Sequence, residues 1–190
     1  YSTDHRHINT ESDSEVLLNV LAHELERASR DVPLSPDVVF AAVSGVHKRV
    51  RGSYAVIAHI AGRGMLAFRD PYGIRPLCLG RSADGTVMVA SESVTLEGTG
   101  HQFERDVAPG EAVFVTLEGQ VHARQCAEKS QLSPCAFEFV YLARPDSVLD
   151  GISVCRAMYI YSDGLKAGDE GYYDGVPFAE ARELMFNYNS

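Results

Sequence analysis

Apolar positions first recur at helical spacing. Val16, Leu17, Val20, Leu21 and Leu25 fall three and four residues apart, while Asn19, His23, Glu26 and Arg27 lie mostly on the other side. That period predicts an amphipathic helix over 15–28. Ser12 stands at its start with Glu15 three residues on, the pattern of a capping box. Asp13 is thereby placed in the first turn, beside backbone N–H groups that have no intrahelical partner and favour a negative charge. A second helix is predicted after Ser35-Pro36-Asp37, which supplies an N-cap, a proline at the first helical position and an early acid. Its apolar stripe is Val39, Ala42, Val43 and Val46. His47, Lys48 and Arg49 suit its negative end, and Gly52 ends the pattern.

The period then changes. Residues 53–60 are almost continuously apolar, interrupted by His59, and 65–68 are apolar again after the turn Ala61-Gly62-Arg63-Gly64. The expectation is a hairpin of strands buried on both faces. Further strands are expected over 77–80 and 87–90, around Ala83-Asp84-Gly85. Another pair is expected over 112–116 and 120–124, around Leu117-Glu118-Gly119, and a last strand over 137–142. Helices followed by hairpins predict an α+β fold, with helices on an antiparallel sheet and a second sheet beneath. After Met158 the chain is rich in Tyr, Gly and Asp. Only 177–187 keeps a helical stripe, of Phe178, Ala181, Leu184 and Met185, so 158–190 reads as a weakly folded tail.

Composition narrows the function. The 190 residues suit one domain. Acidic residues outnumber basic ones 26 to 17, which argues against nucleic acid or an anionic membrane as partner. No apolar run is long enough to span a bilayer, and the polar first residues carry no signal-peptide core. Tyr1 in place of Met is not expected to be a native start. Cys78, Cys126, Cys135 and Cys155 show no Cys-x-x-Cys spacing and no zinc signature, so reduced thiols in the cytoplasm are expected.

Local motifs favour structure over chemistry. Arg69-Asp70-Pro71-Tyr72-Gly73-Ile74-Arg75-Pro76 reads as a turn clamped by an ion pair among Arg69, Asp70 and Arg75. Gly62-Arg63-Gly64 lacks the third glycine of a nucleotide fingerprint. His5 and His7 have no third ligand nearby in sequence. Ser91-Glu92-Ser93 follows a strand and can cap a short helix. Ser91 lacks the Gly-x-Ser-x-Gly elbow of a catalytic serine, and His101 would be its base only by coincidence of fold.

Four segments in order carry a resemblance: HINTESDSEVLL at 7–18, GSYAVIAHIAGRGMLAFRDPYGIRPLCL at 52–79, MVASESV with RDVAPGEAVF at 88–94 and 105–114, and PCAFEFVYLARPDSVLDGISV at 134–154. Together the chain resembles the amidophosphoribosyltransferase family, glutamine-using enzymes at the first step of purine biosynthesis. Arg-Asp-Pro-x-Gly-Ile-x-Pro-Leu is also similar to asparagine synthetase, of the same class II amidotransferases. The stretch from Glu138 to Ser147 is not.

The resemblance implies a partial αββα N-terminal-nucleophile sandwich over 1–157, a glutamine amidotransferase type 2 domain, with 158–190 as an unaligned tail. In that family an N-terminal cysteine attacks the glutamine amide with its own α-amino group as base. An Asn and a Gly stabilise the oxyanion, and an Arg takes the substrate carboxylate. The Asp of Ser-Asp-Ser-Glu takes the substrate ammonium, and Asp13 alone carries over. No catalytic residue and no metal ligand is expected in this chain, which by itself is expected to be inactive. It is expected to need no cofactor. Magnesium with phosphoribosyl pyrophosphate is implied for the family's phosphoribosyltransferase half. Cys135 matches a position that is an iron–sulfur ligand in some members, but alone it implies only a buried thiol. Glutamine and phosphoribosyl pyrophosphate are the expected partners of a homo-oligomeric parent. The alternative is an inactive remnant or a binding module, or part of another class II amidotransferase such as asparagine synthetase.

Overall fold

The computed structural model describes residues 10, 12–135, 137–144 and 146–153, and further along the chain the backbone of 172–173 and 176–177. Helix α1 spans Asp13–Ala28 and α2 spans Pro36–Arg49. Ser35 caps α2 by accepting from the Val38 N–H. Ser12 caps α1, but the expected capping box is rearranged. The Ser12 N–H goes to Thr10 Oγ1 at 3.2 Å, so Glu15 reaches past it to the Thr10 N–H and hydroxyl at 2.7 and 2.6 Å. The two helices are pinned by Glu24, which is 3% exposed and pairs with Arg27 at 2.6 Å and Arg49 at 3.0 Å. Gly45 makes room for it, since a Cβ there would lie 2.1 Å from Glu24 Oε2.

Two antiparallel sheets follow. The first has the order β1 (Ala55–Ile60), β2 (Gly64–Arg69), β6 (Glu111–Thr116), β7 (Val121–Gln125). The second has the order β4 (Val87–Ala90), β3 (Cys78–Ser82), β5 (His101–Asp106). Strand alternation sorts the side chains into layers. Leu66, Phe68, Ala112 and Phe114 face α1 and α2 with Leu21, Val39, Phe40, Val43 and Val46. Ala67 and Val113 point the other way and meet Leu77, Leu79, Val89 and Val107 between the sheets. Cys78 and Ala90 turn outward to Leu96 of α3 (Ser93–Gly98). The result is the expected helix–sheet–sheet–helix sandwich.

Several expectations are corrected. The strand expected over 53–60 to be buried on both faces is an edge strand, alternating exposed and half-buried residues, with Ile57 52% exposed. Its apolar run is that of an interior strand, yet among the described residues nothing pairs beyond it. Residues 138–142 form a π-helical turn rather than a strand. Strand β5 has no apolar alternation to reveal it: His101, Gln102, Phe103, Glu104, Arg105 and Asp106 are half-buried or exposed. Arg69 does not pair with Asp70. It is fully buried, donates to the Arg75, Val107 and Gly73 carbonyls and grips Asp150 with two nitrogens. Asp70 instead accepts the N–H groups of Tyr54, Tyr72 and Ile74, and this clamps the turn. In the tail, Tyr172–Tyr173 pairs with Val176–Pro177. Pro177 therefore ends a strand pair, and the rest of the helix expected to 187 lies outside the described residues, as do His5, His7 and Cys155.

Candidate functional site

The open edge of β1 leads into a groove of about 1130 Å³. Helix α1 overhangs it on one side with Asp13, Leu17 and Leu21. Residues Ala55 to His59 of β1 form its floor. Arg75, Ser91, Glu92 and Glu138 supply polar atoms along the remaining wall. Apolar and charged groups thus converge on one concavity, the usual make-up of a binding site for a small polar molecule. Sequence distance hides this convergence, because Asp13, Arg75 and Glu138 are brought together only by the sandwich.

Asp13 lies in the first turn of α1 and faces this groove. Its carboxylate accepts a long 3.4 Å hydrogen bond from the Ser14 hydroxyl and remains exposed. An ammonium ion placed against so exposed an acid gains at most about 1 kcal/mol. The same pair becomes much stronger once water is excluded. A carboxylate so placed would grip an ammonium group firmly only where the groove is covered.

The other candidates do different work. Ser91 lines the groove, but His101 directs Nδ1 to Thr99 Oγ1 at 3.0 Å. Cys78 and Cys126 are buried free thiols. Burial pushes Cys78 up to about 12 and Cys126 up to about 11, so both stay protonated and unreactive near neutral pH. Cys135 is half-buried and free. Among the described residues no three His, Cys, Asp or Glu side chains converge to hold a metal ion. No helix among them is long and apolar enough to cross a membrane.

Comparison with known proteins decides the family. The model for the glutamine amidotransferase domain matches residues 1–98, just over half the chain. The chain belongs to this family. The amidotransferase domain is similar to amidophosphoribosyltransferase of Pasteurella multocida, 54% identical over 155 residues, covering 80% of this chain and 31% of the relative. That of Escherichia coli is 53% identical over 169 residues, covering 87% and 33%. That of Saccharomyces cerevisiae is 46% identical over 157 residues, covering 79% and 31%. A solved glutamine phosphoribosylpyrophosphate amidotransferase from B. subtilis, complexed with ADP and GMP, superposes with a TM-score of 0.65. It is 30% identical, and the match covers 80% of this chain and 31% of that one. The chain thus spans about a third of the length of the curated relatives it matches. The same likeness bears out the α+β sandwich expected for the amidotransferase domain.

Proposed function

We propose that this chain supplies the substrate-ammonium side of the glutamine site in an amidophosphoribosyltransferase. That enzyme would use glutamine-derived ammonia and phosphoribosyl pyrophosphate to make phosphoribosylamine. The observation that carries the reading is the position of Asp13, at a helix start and facing a groove, in a chain more than half identical to enzymes of that name over the 155 and 169 residues that align. Asp13 would hold the α-ammonium of glutamine. Closure of the groove would desolvate the pair and fix the amide for attack by a nucleophile that the described residues do not offer. Magnesium with phosphoribosyl pyrophosphate would be held by the part of the enzyme beyond this amidotransferase domain. Assembly as a homo-oligomer in the cytoplasm accompanies the reading. By itself the chain would not hydrolyse glutamine.

The test compares nitrogen sources in a full-length enzyme carrying this segment. Asp13→Asn should weaken glutamine use by about 2–4 kcal/mol, as expected when a charged partner is lost at a desolvated site. Activity with ammonia should persist. Equal loss with both sources would give Asp13 a structural role at the helix start alone.

A further inference from the structure

Beyond β7 the chain returns across the sandwich as a strap. It comprises the π-helical turn Glu138–Leu142 and the hairpin of β8 (Val148–Leu149) and β9 (Ile152–Ser153). Phe139 and Leu149 pack with Ala143 as a small cluster of their own, separate from the three clusters of the sandwich. Leu142, Val148 and Ile152 remain exposed. Little apolar burial therefore ties the strap down.

Its fastenings are polar. Arg69, at the end of β2, holds both Asp150 oxygens at 2.7 and 2.8 Å, with the two side chains 1% and 7% exposed. Arg75 pairs with Glu138. Glu92 accepts the Arg144 N–H at 2.8 Å and the Ser147 hydroxyl at 2.7 Å, and Ser93 Oγ accepts the Val148 N–H at 2.9 Å. Asp150 and Gly151 form the two-residue turn of this hairpin, both at positive φ (50° and 74°) as such a turn requires, and the turn presents the Asp150 carboxylate to Arg69. A segment with its own apolar cluster, held by a few polar contacts, is the kind of unit that opens without global unfolding. Its π-helical turn is a feature that often marks functional places in helices.

We propose that the described residues of 137–153 form a separately opening strap, latched to the sandwich by the Arg69–Asp150 pair, whose release opens one wall of the groove. Glu138, Leu142 and Ala143 are that wall. The latch stands or falls independently of what the groove binds.

Hydrogen exchange of the purified chain, read by mass spectrometry, tests this without an activity assay. Strap amides should exchange as one block, faster than those of β2 and β6. Asp150→Asn should speed the block by about tenfold or more, the response to losing a charge-assisted pair at a buried site. Leu149→Ala, which empties the strap's own cluster, should do the same, with β2 and β6 unchanged in both variants. Strap exchange at the rate of β2 and β6 overturns the proposal. So does acceleration of all three together in Leu149→Ala, whether or not Asp150→Asn folds.

Discussion

The two edges of the first sheet are finished differently. On β7, Arg124 reaches back over the Phe40 ring, 5.0 Å from its centroid, and pairs with Asp37, while Gln125 bonds the Pro109 carbonyl and Ser130. Charged side chains and covering loops are how natural sheets blunt an edge. On β1 the sequence is Ala-Val-Ile-Ala-His-Ile, with no charge and no proline, and its pairing to β2 runs without a bulge. Ile57 on β1 and Leu18 on α1 are both more than half exposed and line the same groove. β7 is built as an edge, whereas β1 is built as an interior strand and, among the described residues, is paired on one side only. Asp13 lies on the groove bordered by that unfinished edge, so the weakness of the sheet and the candidate chemistry share one place.

Truncation of an interior residue should separate β1 from its neighbour most strongly. Phe68 on β2 is fully buried among α2 and β6 residues, so Phe68→Ala should cost about 3–5 kcal/mol. Ile57→Ala on β1 should cost less than about 1 kcal/mol, because half its surface already meets water. Denaturant melts of the two variants check this, and similar losses would mean that β1 is as enclosed as β2. A smaller effect is expected at the other edge. Arg124→Leu should cost about 0.5–1 kcal/mol through the lost contact with Phe40, and should add a tendency to associate that the parent's β7 lacks.

The smallest effect is a pH dependence at the root of β1. His47 stacks on Tyr54, just before β1, with Nδ1 2.9 Å from the Tyr54 hydroxyl. Its Nε2 is buried near Gly110 without a well-formed hydrogen bond. Burial pushes its pKa below the usual 6.5, against the opposing pull of Asp70. Above pH 6.5 both folded and unfolded chains keep it neutral and stability is undiminished. As pH falls below 6.5 the unfolded chain takes up a proton first, so stability declines until the folded pKa is passed. Thermal melts from pH 7.5 to 5 should show this slope, and His47→Gln should flatten it. An unchanged slope in the variant would place its origin elsewhere.

Much of this could be read along the chain, and the limits have physical reasons. Both long helices, six of the seven strands of the two sandwich sheets and Asp13 at its helix start follow from local period and capping. β5 was missed because an edge strand with a polar sequence carries no alternation. The turn over 138–142 misled because a short apolar run suits a strand and a helical turn equally. Arg69 looked bound to its neighbour Asp70, but its partner Asp150 lies 81 residues away, a distance no local pattern reports. The groove has the same origin, since its walls come from α1, β1 and the strap.

The unfinished edge is the central claim, and the oligomeric state of the purified chain tests it most directly. Size-exclusion chromatography with light scattering should show concentration-dependent association of the parent chain, and Ile57→Lys should suppress it by placing a charge on the open edge. A monodisperse monomer with one cooperative melting transition, unaltered by Ile57→Lys, would contradict the account and show that β1 is already covered.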